Sequence, residues 1–164
     1  MTSSLSRALF ATLLFVAVGC GGDGPTGSGG ELGPMSAEID GDIWSASAPL
    51  ATKPLTSGHV VAVSGVGNGQ TIAFAFQWFQ GTSTYTIGSG PANANLYIGT
   101  EAWRAPADGT VGNPDGTSGT ITITALTDER ITGEFEFTMK AAVTGTVPEM
   151  RVVANGKFDV PFST

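Results

Sequence analysis

The segment Ile131-Thr-Gly-Glu-Phe-Glu-Phe-Thr-Met-Lys140 alternates between two kinds of side chain without a break. Ile131, Phe135, Phe137 and Met139 fall on one side, and Thr132, Glu134, Glu136, Thr138 and Lys140 on the other. Successive side chains of a strand point to opposite faces, so this period of two fits a strand with one dry and one wet face. Sheets wet on one side only are built from antiparallel strands. The preceding stretch, Gly119 to Ala125, repeats the pattern, with Ile121, Ile123 and Ala125 inward and three threonines outward. A turn near Asp128-Glu129-Arg130 joins the two. Keeping the isoleucines on the face of Phe135 and Phe137 calls for a loop of three or five residues, because four would set Ile123 against Glu134.

The hairpin signals elsewhere agree with this class. Asn68-Gly69 sits between two alternating runs, and a two-residue loop there pairs Gly65 with Ile72, Val63 with Phe74, Val61 with Phe76 and His59 with Trp78. Asp40-Gly41 marks another hairpin. A loop of Asp40-Gly41-Asp42 would put Ile39 opposite Ile43, leaving Trp44 on the face of Glu38. Pro49 to Ser57 reads as a connection, Thr84 to Ile87 as a short strand, and Ala92 to Gly99 as a strand with Leu96 and Ile98 on one side and Tyr97 on the other. Trp103 ends that region. The loop from Ala105 to Ser118 that follows contains Asn113-Pro114-Asp115-Gly116, a turn signal. A second Asn-Gly, at Asn155-Gly156, invites a hairpin. It would pair Val152 with Asp159 and Ala154 with Lys157, mixing the faces. One long strand, bulged at Gly156, instead keeps Met150, Val152, Ala154, Gly156, Phe158, Val160 and Phe162 inward. The expected fold is therefore all-β: an antiparallel sandwich or small barrel of about eight or nine strands.

The amino-terminal end is of another kind. Met1 to Arg7 is polar and weakly positive, and Ala8 to Val18 is apolar or nearly so, as in the core of a signal peptide. The run is too short for a spanning helix, which needs about 20 apolar residues. It stops at Cys20, the only cysteine. Ala17-Val18-Gly19-Cys20 resembles a lipobox, the motif cut by lipoprotein signal peptidase. Ala17 departs from the usual leucine, while Val18 and Gly19 match. The resemblance implies removal of residues 1–19 and acylation of Cys20, which would anchor the chain to a membrane. Two or more acyl chains are needed for stable anchoring. Gly21 is not the aspartate that favours inner-membrane retention in such proteins, so in a Gram-negative cell the resemblance implies the outer membrane. Residues 20–34 continue as the lipidated cysteine and a glycine-rich tether, spanning roughly 20 Å as a flexible chain. Residues 35–164 form the single folded domain.

That domain also resembles an uncharacterised family of bacterial lipoproteins. The likeness is carried by Ala37-Glu-Ile-Asp-Gly-Asp-Ile-Trp44, Thr84-Tyr-Thr-Ile-Gly88, Gly119-Thr-Ile-Thr-Ile-Thr124, Ile131-Thr-Gly-Glu-Phe-Glu-Phe137 and Asn155-Gly-Lys-Phe-Asp-Val-Pro-Phe162. It implies an all-β domain and supplies no catalytic residues.

Charge and motif content narrow the function. The net charge is −7, and loss of Arg7 with the leader makes it −8, because all 14 acids lie beyond Cys20. Scattered basic residues disfavour nucleic acid, which is bound through clustered Lys and Arg. No Ser-His-Asp grouping, HExxH or phosphate loop is evident, and no thiol remains once Cys20 is acylated. The leading expectation is a non-enzymatic, lipid-anchored envelope protein that binds or scaffolds, with no cofactor, metal or catalytic residue. Its partners are the membrane through Cys20 and an envelope protein or a small apolar ligand; its oligomeric state is open. The alternative is a lipocalin-like binder whose cavity is lined by Trp44, Trp78, Trp103, Tyr85 and Tyr97, with His59 beside Trp78 as a further ligand-facing candidate. A carboxylate-based hydrolase ranks below both. Asp40 and Asp42, and Asp108, Asn113 and Asp115, can be read as cation ligands, but turn chemistry explains them.

Overall fold

A computed structural model describes residues 33–52, 60–77, 81–88, 92–106 and 116–163. They form eleven strands: β1 (Met35–Ile39), β2 (Asp42–Ser45), β3 (Leu50–Thr52), β4 (Val60–Gly67), β5 (Gln70–Gln77), β6 (Thr84–Thr86), β7 (Asn93–Ile98), β8 (Glu101–Ala105), β9 (Ser118–Leu126), β10 (Arg130–Ala141) and β11 (Met150–Ser163). The strands exceed the expected eight or nine because short ones hide in apparent connections. β3 lies within the stretch read as a connection, and the Trp103 region is a strand of its own, β8.

The pairings run β2-β1-β11-β3-β4-β5-β7-β8-β10-β9-β6, and β11 also pairs with β10. That last pairing closes a ring of β11-β3-β4-β5-β7-β8-β10, from which β1-β2 and β9-β6 branch. Two of the ring's joints are short. β11 meets β3 only through Phe162↔Ala51 and Ser163↔Thr52, and β10 meets β8 only through Lys140↔Arg104 and Ala141↔Trp103. These joints are corners between a six-stranded layer, β2-β1-β11-β10-β9-β6, and a five-stranded layer, β3-β4-β5-β7-β8. The fold is thus a sandwich whose corners are closed like a barrel. All the pairings are antiparallel except β11 with β3, which is parallel. The carboxyl-terminal end of β11 extends past β1 and reaches β3 along the same edge.

The two layers meet through aromatic rings. Phe74 of β5 faces Phe135, Phe137 and Phe158 of the opposite layer at centroid distances of 5.0, 5.7 and 5.4 Å. Three of the phenylalanines in this half of the molecule lie opposite a glycine: Phe137 opposite Gly119, Phe135 opposite Gly156, and Phe158 opposite Gly133. A Cβ on Gly133 would stand 2.6 Å from the Phe158 ring and 2.3 Å from the Thr122 carbonyl oxygen. The glycines make room for rings lying flat on the neighbouring strand, a known way of rescuing glycine in a sheet.

The β4–β5 hairpin has the expected register, Val61↔Phe76, Val63↔Phe74 and Gly65↔Ile72, turning at Asn68 (φ 52°) and Gly69 (φ 73°). The proposed His59–Trp78 pair lies outside the described residues. β1 and β2 turn through two residues, not three. Asp40 (φ 52°) and Gly41 (φ 91°) form the loop, and Ile39 pairs with Asp42. Both loop residues have positive φ, as the tight turn that matches strand twist requires. The shorter loop reverses the expected faces. Trp44 pairs with Ala37 in the core, and Ile43, opposite Glu38, is 72% exposed.

Two bulges, the second of them expected near Gly156, set the remaining registers. In β9–β10, Leu126 pairs with Ile131, leaving four residues between them, the spacing that sequence parity had excluded. A slip between Thr132↔Ala125 and Gly133↔Ile123 then brings Ile121 opposite Phe135. Parity is restored inside the strand instead of at the loop, so Ala125 is exposed and not inward. β11 is one long strand, as expected, but its inward series is not unbroken. Phe135 pairs with Gly156 and Phe137 with Val153, and on the other edge Ser36 pairs with Lys157 and Glu38 with Ala154. One residue is extra against both neighbours, and Asn155 takes the left-handed φ of 52° at that point. Before the bulge the odd residues face in: Val153 is buried, whereas Val152 is 47% exposed and Met150 only half-buried. After it, Gly156, Phe158 and Val160 face in, as read.

Candidate binding surface

Among the described residues, the aromatic side chains singled out as ligand-facing do not converge. Trp44 and Trp103 are 1% and 0% exposed, and Tyr85 is 9% exposed. Trp44 leans from β2 onto β4, where Gly65 leaves space for its ring and the Gly67 carbonyl accepts its indole N–H at 3.0 Å. Trp103 donates its indole N–H to the Pro148 carbonyl at 2.8 Å. Tyr85 packs on Phe76, centroids 4.4 Å apart. Each ring thus fills a different part of the interior, and buried indoles need the hydrogen-bond partners these two have. Tyr97 points outward from the five-stranded layer. Cys20, His59 and Trp78, with the loop residues Asp108, Asn113 and Asp115, lie outside the described residues.

A polar group that sequence reading did not assemble closes one end of the sandwich. The bulge turns Arg151 inward, opposite Met139. Its guanidinium lies 4.8 Å from the Trp103 ring centroid, and its Nη1 donates to Asp40 Oδ2 at 2.5 Å. The other oxygen of Asp40 accepts the Val152 N–H at 2.8 Å. Asp40 is therefore occupied as a clamp on β11. Among the described residues, no three His, Cys, Asp or Glu side chains come close enough to hold a metal ion.

The chemistry left facing solvent is concentrated on the outer face of the six-stranded layer. Three adjoining recesses of about 310, 390 and 440 Å³ run across β6, β9, β10 and β11. The first is lined by Thr120, Thr122, Glu134, Glu136, Asn155 and Lys157, together with Phe135 and Gly156. Strand alternation delivers this set: Thr120 and Thr122 add hydroxyls here, Thr124, Thr132 and Thr138 add theirs in the other two recesses, and Glu134 and Glu136 sit two residues apart on one face. Local bonds hold the side chains in rows. Thr84 and Thr122 hydroxyls are 3.1 Å apart, Thr120 donates to Glu136 at 3.4 Å, and Thr132 donates to Asp159 at 3.2 Å. Arg130 also holds Asp159, at 2.9 Å. The face offers hydroxyls, carboxylates, an amide and an ammonium group, a set suited to hydrogen bonding. The recesses are open and shallow, unlike the concave apolar pockets in which small ligands are usually enclosed.

No curated protein and no solved structure matches this chain. Residues 33–160 match the family model described as a domain of unknown function, DUF6252, and that span takes in the strands from β1 to nearly the end of β11. The chain belongs to this family.

Proposed function

We propose that the protein is a lipid-anchored component of the cell envelope, held through acylated Cys20, whose β-domain acts by binding or scaffolding and not by catalysis. The observation that carries this reading is the sequence Ala17-Val18-Gly19-Cys20 at the end of an apolar run, followed at once by a glycine-rich stretch. The packing of the domain supports the second half. Among the described residues, both tryptophans, Tyr85 and most phenylalanines fill the space between the layers, so recognition falls to the outer faces, where hydroxyls and carboxylates are arrayed. Gly21 favours the outer membrane within this reading.

The test is metabolic labelling with radioactive palmitate in a Gram-negative host. The parent chain takes up label and sediments with membranes, whereas Cys20→Ser loses the label. Label retained by Cys20→Ser, or a parent chain that is unlabelled and released to the soluble fraction, refutes the anchor.

A further inference from the structure

The two outer faces of the sandwich differ in charge. The six-stranded layer presents Glu38, Glu134, Glu136 and Asp159 outward, together with Lys157, Lys140 and Arg130, the last paired with Asp159. On the five-stranded layer the outward strand positions include Ser64, Ala73, Ala75 and Asn95, and among the described residues Arg104 is the one charged side chain at those positions. The same face carries Leu50, Val60, Val66 and Tyr97, which are 46%, 57%, 53% and 40% exposed. Its centre is built of small side chains, so the face is flat.

We propose that this face is a self-complementary interface between two copies of the chain. Two bodies of net charge −7 repel wherever their acids face each other. Only this face of the sandwich can be brought against its own copy without burying carboxylates, whose desolvation is costly. A two-fold axis through β5 would set Ala73 of each copy near its equivalent, since a two-fold interface uses the same patch twice. Strand spacings of about 4.8 Å across five strands, and about 3.4 Å per residue along β4 and β5, give a face of roughly 500 Å² per copy. Two copies would bury about 1,000 Å², at the lower edge of specific interfaces, so the dimer is reversible. The proposal does not depend on the lipid anchor.

Cysteine cross-linking tests it in cells expressing the full-length chain. Ala73→Cys and Asn95→Cys place a thiol on the face, Thr122→Cys places one on the opposite layer, and the parent chain sets the background. With a short bis-maleimide, both face variants give a band at twice the chain mass, and Thr122→Cys stays at background. Adding Ala75→Glu to Asn95→Cys brings like charges together and lowers the dimer yield by about tenfold. Monomer alone in both face variants, a cross-linked band of another mass, or an equal dimer yield from Thr122→Cys overturns the proposal.

Discussion

Replacing Phe74 with alanine removes the ring on which the two layers meet. Phe74 is 2% exposed and touches Phe135, Phe137 and Phe158, one ring from each of three positions across the sandwich. Deleting a buried phenylalanine costs about 3–5 kcal/mol, through lost transfer energy and the cavity left behind. The upper half of that range applies here. The neighbouring rings are held by cross-strand glycines, so they cannot collapse freely into the void. For a domain of about 130 residues, an unfolding entropy of about 2.1 cal/mol/K per residue converts about 4–5 kcal/mol to a fall in Tm of about 15–18 °C. Calorimetry or circular-dichroism melts read the shift directly. Thr122→Ala, on the outer face, serves as the control and stays within about 0.5 kcal/mol of the parent. In a double-mutant cycle, Phe74→Ala and Phe158→Ala couple by about 0.5–1.5 kcal/mol, as expected of touching rings. A Phe74→Ala shift no larger than that of Thr122→Ala would refute the packing of one layer on the other.

Other perturbations probe the devices that fix register. Gly133→Ala forces a methyl against the Thr122 carbonyl and the Phe158 ring, and costs about 2 kcal/mol or more in denaturant unfolding; an unchanged midpoint would show that this close approach is absent. At the bulge, Asn155→Gly leaves stability level or slightly raised, while Asn155→Val lowers it by about 1–2 kcal/mol because a β-branched residue resists positive φ. Equal effects from the two would remove the left-handed bulge. Arg151→Ala uncovers Trp103 and frees Asp40, lowering stability by about 1–3 kcal/mol, and Arg151→Lys recovers only part of it because an ammonium lacks the planar group that stacks. Full recovery by lysine, read from urea melts, would reduce the group to a simple charge pair.

Much of the fold was legible because alternation and tight turns are local. Asn68-Gly69 set the β4–β5 register correctly, since both its residues and the flanking parity agreed. Parity also rejected a hairpin at Asn155-Gly156. A bulge at Gly156 was expected as well, but parity could not show that a bulge reverses the faces of the residues on one side of it. Val152 and Ala125 were misplaced for that one reason. The two-residue Asp40-Gly41 loop was open to a three-residue reading, as Asp42 is itself a turn former, and the choice decided whether Trp44 or Ile43 went inside. β3 is too short to show alternation and exists because β4 and β11 pair with its two edges. The contact of Asp40 with Arg151 joins positions 111 residues apart, which only topology can bring together. The outward threonines and glutamates of β9 and β10 were readable one by one, but their union with Lys157 and Asn155 needed the strand order.

The most direct test of an anchored binding domain is the mass of the mature amino terminus, measured on chain purified from membranes of cells expressing the full-length sequence. The expected terminal peptide begins at Cys20 and carries the added mass of a glyceryl group and acyl chains. A terminal peptide beginning at Met1, or one containing Cys20 with its thiol free, would contradict it.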